Sequence, residues 1–223
     1  MQISPLNILI VDDHAPIIEG YKSILSYNLS EIPLVISEAN DCESAYKIIV
    51  GCSNSTPFDI VFIDVTLPPF AEKELYSGED LVPVIRQNLP NAKIVILTSH
   101  TESLVLYRIF DNSKPNGLLV KSDFTAEELL TAFEAIVNGE NYYSKTIHKL
   151  DKEVNKNKKI LDFYNQQILL LLSQGIKTKN LHDHLHLSVS AIDKRKVAIK
   201  IFFGIEKGTD EDILREARKQ GFI

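Results

Sequence analysis

DIVFIDVTLP, residues 59–68, runs from one aspartate through four apolar residues to a second, Asp64. A run that short, rich in β-branched side chains and bounded by polar residues, reads as a strand buried on both faces of a parallel sheet. Three other runs have the same form. NILIV at 7–11 leads into Asp12 and Asp13, KIVIL at 93–97 into Thr98, and GLLV at 117–120 into Lys121. In an open α/β sheet, functional groups gather at the carboxyl ends of the strands. Three carboxylates, a hydroxyl and an ammonium are therefore expected on one rim. Carboxylates brought that close stay ionised only beside a cation, and oxygen-only ligands suit a hard ion such as Mg²⁺. Each of these residues alone is an ordinary strand-end residue. In register they are the parts needed to receive a phosphoryl group.

The rest of the first half alternates strand and helix. Strands are expected near 7–11, 33–37, 59–63, 93–97 and 117–120, and helices near 15–28, 41–50, 79–88, 102–112 and 125–138. The fifth helix carries the clearest signals. Thr125 can cap it, Glu127 and Glu128 suit its positive end, and Ala126, Leu129, Leu130, Phe133, Ile136 and Val137 form a buried stripe. The pattern predicts an α/β fold: a doubly wound (βα)5 parallel sheet of order 2-1-3-4-5.

Over about residues 5–140 this arrangement resembles the receiver domain of bacterial two-component response regulators, with Asp64 in FIDVTLP, Asp12 and Asp13 in VDDH, Thr98 in LTSH and Lys121 in LLVKSD. The resemblance implies a role for each. Asp64 matches the aspartate that accepts a phosphoryl group from a sensor histidine kinase. Asp12 and Asp13 match the acidic pair that binds Mg²⁺ with Asp64, the backbone carbonyl of Thr66 being a further ligand. Thr98 matches the hydroxyl that follows the phosphoryl oxygen, and Lys121 its counter-ion. His14, beside the acidic pair, reads as the rim of that site.

Charge divides the chain. Residues 1–144 hold 8 basic and 20 acidic side chains, residues 145–223 hold 16 and 10, and the resulting −12 and +6 sum to the overall −6. A basic half following an acidic one suggests that the second half meets a polyanion. SKTIHKLDKEVNKNKK, 144–159, is lysine-rich with Ile147, Leu150 and Val154 at helical spacing, and reads as a partly helical linker. Beyond it come short helices punctuated by turns. Asp162 can cap the first, which Gly175 stops; a second lies near 178–184; a third runs from about Val189 to Phe203 before Gly204; Thr209 caps a fourth that ends before Gly221. Two helices joined by a tight turn, the second carrying Lys194, Arg195, Lys196 and Lys200, form a helix-turn-helix arrangement.

Leu169, Gly175, Ile176, Lys179, Leu181, Leu185, Leu187, Ser188, Ile192, Ile199, Gly204 and Ile205 there resemble the four-helix DNA-binding domain of the NarL/LuxR class of response regulators. The resemblance divides the chain into a receiver at 1–140, a linker at 141–159 and an all-α helix-turn-helix domain at 160–223. It implies a phosphorylation-dependent transcription regulator rather than an enzyme, whose only chemistry is its own phosphorylation and dephosphorylation. Phosphorylated homodimers would bind inverted half-sites of double-stranded DNA. On the third helix Ser190, Asp193, Lys194 and Val197 share a face and match base-reading positions, with Arg195 beside them, while Lys179, Lys196 and Lys200 would touch phosphates. Asp193 could accept from a cytosine amino group and Val197 touch a thymine methyl.

The chain also departs from the class. Asn165 stands where a glutamate is usual, His182 where a small alanine is, Ala191 and Arg195 where threonine and histidine are, and Leu118 at the aromatic switch position. PPFAEKELYSG, 68–78, replaces a tight turn, and its Phe70, Leu75 and Tyr76 suit either a partner-facing lid or a loop folded onto its own domain. His182, His184 and His186 do not share one helix face and read as structural or surface histidines. Cys42 and Cys52 read as free thiols. No apolar stretch approaches a bilayer-spanning length, so a cytoplasmic protein with no membrane partner is expected. Two rival readings remain: an interaction module or phosphate sink whose helix-turn-helix binds protein, and a Mg²⁺-dependent hydrolase with Asp64 as nucleophile. The second lacks the further aspartate such phosphatases need, since Thr66 occupies that position.

Overall fold

The computed structural model describes residues 4–52, 57–123, 125–148 and 162–223. These cluster as two compact units, residues 1–99 with 109–147, and residues 100–108 with 148–223. Residues 149–159 of the expected linker, with Leu150 and Val154, lie outside the described residues.

In the first unit β1 (Leu6–Val11), β2 (Leu34–Ala39), β3 (Ile60–Asp64), β4 (Lys93–Thr98), β5 (Gly117–Val120) and β6 (Tyr142–Tyr143) form one parallel sheet of order 2-1-3-4-5-6. The expected five-strand order holds. The sixth strand is an addition of two tyrosines from the stretch read as linker, paired with Gly117 and Leu118 of β5. The chain between strands forms α1 (Ala15–Leu25), α2 (Cys42–Gly51), α3 (Leu81–Asn88), α4 (Ser103–Ser113) and α5 (Ala126–Val137). β3 is buried at every residue, as its unbroken apolar run requires. Ile8, Ile10, Phe62, Val95, Leu97 and Leu119 pack with Ile18, Tyr21 and Leu25 of α1 and Leu129, Phe133 and Ile136 of α5. Thr125 and Glu128 close a reciprocal cap on α5: each side chain accepts from the other residue's amide.

The second unit contains α6 (Phe163–Ser173), α7 (Leu181–Leu185), α8 (Val189–Phe202) and α9 (Asp210–Lys219). Asp162 caps the first as expected, accepting from the Asn165 amide at 2.9 Å, and Gly175, Gly204 and Gly221 adopt the positive φ that stops a helix; Ser188, not foreseen as a cap, accepts from the Ala191 amide at 3.2 Å. Ile168, Leu169, Leu172, Leu181, Leu185, Ile192, Ile199, Phe203 and Ile213 form its core with Leu104 of the 100–108 segment. No helix among the described residues is long and apolar enough to cross a membrane.

Candidate functional site

Strand register builds the site. Val11 pairs with Ile63, so Asp12 follows β1 level with Asp64 at the end of β3. Asp64 pairs with Leu97 and Thr98 with Val120, so the hydroxyl and Lys121 emerge on the same rim. The five residues expected there do converge. Lys121 Nζ donates at 2.7 Å to Asp12 Oδ2 and at 2.7 Å to Asp64 Oδ2. Asp12, Asp64 and Thr98 are buried, while Asp13 faces solvent. His14 Nδ1 lies 2.6 Å from Asp13 Oδ1 and 3.4 Å from Asp12 Oδ1, and the His14 amide donates to Asp12 Oδ1. The Thr66 amide donates to Asp64 Oδ1 at 3.3 Å.

Electrostatics at this rim are governed by the shared lysine. Burial works against the Lys121 charge, but hydrogen bonds to Asp12 and Asp64 outweigh it, so its pKa is raised above the ordinary lysine value. The ammonium is thus charged throughout the physiological range. It offsets much of the repulsion expected between the buried carboxylates. Tyr21 stands among the core residues behind them. Burial, opposed by Lys121 and reinforced by Asp12 and Asp64, pushes its hydroxyl up to about 12 and keeps it neutral. Asp12, Asp13 and Asp64 offer oxygens, the set a hard divalent ion takes, and His14 adds a ring nitrogen beside them. Among the described residues Asp12, Asp13 and His14 form the one group of metal-ligating side chains drawn within 4.8 Å of one another.

The long segment after β3 folds onto its own unit. Phe70 and Leu75 exchange backbone hydrogen bonds of 2.7 and 3.2 Å, Leu75 is buried, and Phe70 meets the Tyr46 ring of α2 edge-on at 5.9 Å. Lys73 lies over the same ring. Of its three large apolar groups, Tyr76 is the exposed one. Asp80 accepts from the amides of Tyr76 and Ser77 and anchors the end of the loop. Leu75 is thus buried and Phe70 half-buried against Tyr46 of α2, which leaves Tyr76 as the exposed one of the three. One residue of this segment escaped the sequence reading. Gly78 donates to the Val65 carbonyl at 2.9 Å and lies against Asp64, with no room for a Cβ. Its signal was an isolated glycine just ahead of a helix.

On α8 the expected faces separate. Ile192 and Ile199, with Phe203 just beyond the helix end, are buried, and Ser190, Asp193, Lys194 and Val197 are exposed. The cations divide differently. Arg195 donates to both oxygens of Asp162 at 2.7 and 2.6 Å and to Asn165 at 3.0 Å, and stacks over Tyr164. Lys196 donates to Thr178 at 2.8 Å and pairs with Asp210 at 2.5 Å. Lys200 donates to the Gly208 carbonyl. Phosphate contacts by Lys196 or Lys200 would share the ammonium with these partners. Lys179 is exposed, and its carbonyl lies 2.8 Å from His182 Nδ1. Asn165 and Arg195, both departures from the class, are thus partners of one another.

Lys196 accordingly carries a stability prediction. Burial opposes the Asp210 charge, but hydrogen bonds from Lys196 and Thr178 outweigh it and hold the carboxyl below its ordinary value. A depressed carboxylate contributes stability above its unfolded pKa and loses it as pH falls through the folded one. Lys196→Ala is expected to destabilise the helical unit by about 1–2 kcal/mol at neutral pH. Urea melts should show the difference narrowing below the ordinary carboxylate range. A variant as stable as the parent would return Lys196 to a purely solvent-facing role.

The response regulator receiver domain family matches residues 8–134, more than half of the chain. The chain belongs to that family. Similar curated proteins are the oxygen regulatory protein NreC of Staphylococcus haemolyticus, 28% identical over 206 residues that cover 87% of this chain and 89% of that protein, and NreC of Staphylococcus aureus strain JH9, 26% identical over 213 residues that cover 90% and 92%. Among solved structures, the two-component response regulator RcsB in complex with DNA has a TM-score of 0.64 at 19% identity, covering 96% of this chain and 98% of that one. RcsB from Salmonella enterica serovar Typhimurium bound to promoter P1flhDC with a phosphomimetic BeF3⁻ has a TM-score of 0.63 at 18% identity, covering 95% and 97%. These likenesses show the fold: a response regulator receiver followed by a helical domain.

Proposed function

We propose that this response regulator is a phosphorylation-dependent, DNA-binding transcription regulator of the cytoplasm. Its receiver, linker and helix-turn-helix domain occupy 1–140, 141–159 and 160–223. The observation that carries the reading is Lys121, at the end of β5, held at 2.7 Å from both Asp12, after β1, and Asp64, at the end of β3. A carboxylate oxygen of Asp64 attacks the phosphorus of a sensor kinase's phosphohistidine. An O–P bond forms as the P–N bond breaks, and the imidazole leaves with the electron pair and takes up a proton. Lys121 holds Asp64 for attack and then meets the phosphoryl oxygens, and Thr98 donates its hydroxyl to one of them. Asp12, Asp13, Asp64 and the Thr66 carbonyl are the oxygens that would hold Mg²⁺, which when bound neutralises charge on the transferring group.

The aspartyl phosphate carries roughly −1.5 to −2 charges where one carboxylate stood, and that change biases homodimer formation. Each protomer then offers one α8 to a half-site of inverted DNA. A second reading, in which the helix-turn-helix binds protein, is favoured by one observation: the open face of α8 carries Asp193 and Lys194 and thus no net charge. Acetyl phosphate labelling, followed by duplex binding at several salt concentrations, separates the two. DNA binding that weakens steeply with salt supports the first reading. Labelling without any DNA binding supports the second.

The metal has its own expected result. Lys121 supplies one positive charge for two buried carboxylates, and Asp13 adds a third negative group at the rim. Mg²⁺ at ten times its Kd should stabilise the receiver by about 1.4 kcal/mol, a rise in Tm of roughly 4 °C. Asp13→Asn should blunt the rise. Absence of any shift at millimolar Mg²⁺ would count against these ligands.

A further inference from the structure

The open face of α8 is a stripe formed by Ser190, Asp193, Lys194, Val197 and Ile201, with Val189 at its head. Val189, Val197 and Ile201 are 57%, 56% and 71% exposed. Val197 and Ile201, one turn apart, place two branched aliphatic groups side by side on this face. Its two charges cancel, and the other three α8 cations are bonded within the domain. Entering a major groove, this helix would bring one ammonium without a partner among the described residues, one carboxylate, and the aliphatic stripe.

Each base pair offers a different edge in that groove. Guanine is read by Arg or Lys at O6 and N7, adenine by Asn or Gln, and thymine alone offers a methyl group to an aliphatic side chain. The stripe has no arginine, asparagine or glutamine. Resting on the DNA-binding reading above, we infer that α8 recognises its half-site chiefly through thymine 5-methyl groups, contacted by Val197 and Ile201. Lys194 takes a single guanine. The half-site is accordingly A·T-rich. Charge complementarity to the phosphates comes from outside the helix, from Lys177 and Lys179, exposed where the chain enters α7. Asp193 adds discrimination, since a carboxylate accepts from cytosine N4 and is repelled by the acceptor edge of guanine.

The test uses the full chain treated with acetyl phosphate and Mg²⁺. Duplexes are enriched from a random-sequence library, and the enriched sequence is resynthesised with deoxyuridine, which lacks the methyl, in place of thymine. Binding should weaken about fourfold for each contacted methyl removed, the equivalent of one buried methylene. Val197→Ala and Ile201→Ala, at exposed positions that leave the core untouched, should each bind the thymine form more weakly and respond less to deoxyuridine. The double variant should bind both forms alike. A random duplex should be indifferent to the exchange. Equal wild-type affinity for the thymine and deoxyuridine forms of an enriched duplex overturns the methyl reading and leaves DNA binding standing. Enrichment of no sequence, with no duplex bound at any salt concentration, overturns the DNA reading together with this inference and leaves the stripe as a protein-docking face.

Discussion

Asp64→Asn is expected to abolish phosphoryl uptake from acetyl phosphate while the receiver stays folded. The amide has the shape of the carboxylate but neither its charge nor a nucleophilic oxygen pair, so no O–P bond can form at this position. Lys121 loses one carboxylate and keeps the other, because Asp12 Oδ2 also lies at 2.7 Å. The substitution should therefore change stability by no more than about 1–2 kcal/mol. A phosphate-affinity gel of both proteins, with and without Mg²⁺, measures uptake, and a urea melt measures the fold. Equal labelling of parent and variant would remove the phosphoacceptor assignment. Labelling lost together with the cooperative melt would show instead that Asp64 holds the sheet end in place.

Gly78→Ala is expected to damage both fold and chemistry, although the change is one methyl group. A Cβ at Gly78 would lie 1.9 Å from the Asp64 carbonyl oxygen, 2.9 Å from its carbon and 2.8 Å from a methyl of Ile63. Two of these neighbours are backbone atoms of a strand paired on both sides, so they cannot turn away as a side chain would. Either the end of β3 shifts, or the loop swings out and loses the Gly78–Val65 hydrogen bond and the cap between Ser77 and Asp80. Overpacking against a rigid neighbour costs about 3 kcal/mol, which lowers Tm by roughly 10 °C in a domain of this size. A displacement of Asp64 by about 1 Å would also slow transfer by about 10²-fold. Thermal melts and labelling rates corrected for folded fraction report the two effects separately. A variant that melts and labels like the parent would show that the loop yields freely and that Gly78 does not position Asp64.

The sequence by itself determined the layout of the receiver and the residues on its rim. Unbroken apolar runs of four or five residues suit a strand covered on both faces, and their alternation with helical segments makes the sheet parallel. Once they are aligned, the polar residue ending each run has nowhere to go but the carboxyl edge, which is why Asp12, Asp64, Thr98 and Lys121 meet as expected. Helix ends were equally legible. Thr125 with Glu128, Asp162, Gly175 and Gly204 act within three or four residues of themselves, and such local chemistry is written in the adjacent letters.

Only the tertiary structure decided what depends on distances between remote segments. Tyr142 and Tyr143 form a strand because the edge of β5 has open hydrogen-bonding groups beside them; two residues carry no periodicity to read. Phe70, Leu75 and Tyr76 suited a lid as well as a folded loop, and the packing of Phe70 depends on Tyr46, some two dozen residues earlier, whose ring stands where Phe70 can reach it. Gly78 is required by the Asp64 carbonyl across an irregular loop whose path no local rule predicts. The basic character of α8 was plain in the sequence, but its meaning was not. Arg195, Lys196 and Lys200 read as groups offered to a polyanion until the packing of α6 and α9 sets Asp162, Asp210 and the Gly208 carbonyl within their reach. A lysine's charge is a property of one residue. Whether that charge faces a ligand or its own fold is settled by which acceptor lies within 3 Å, and that distance exists only in the folded chain.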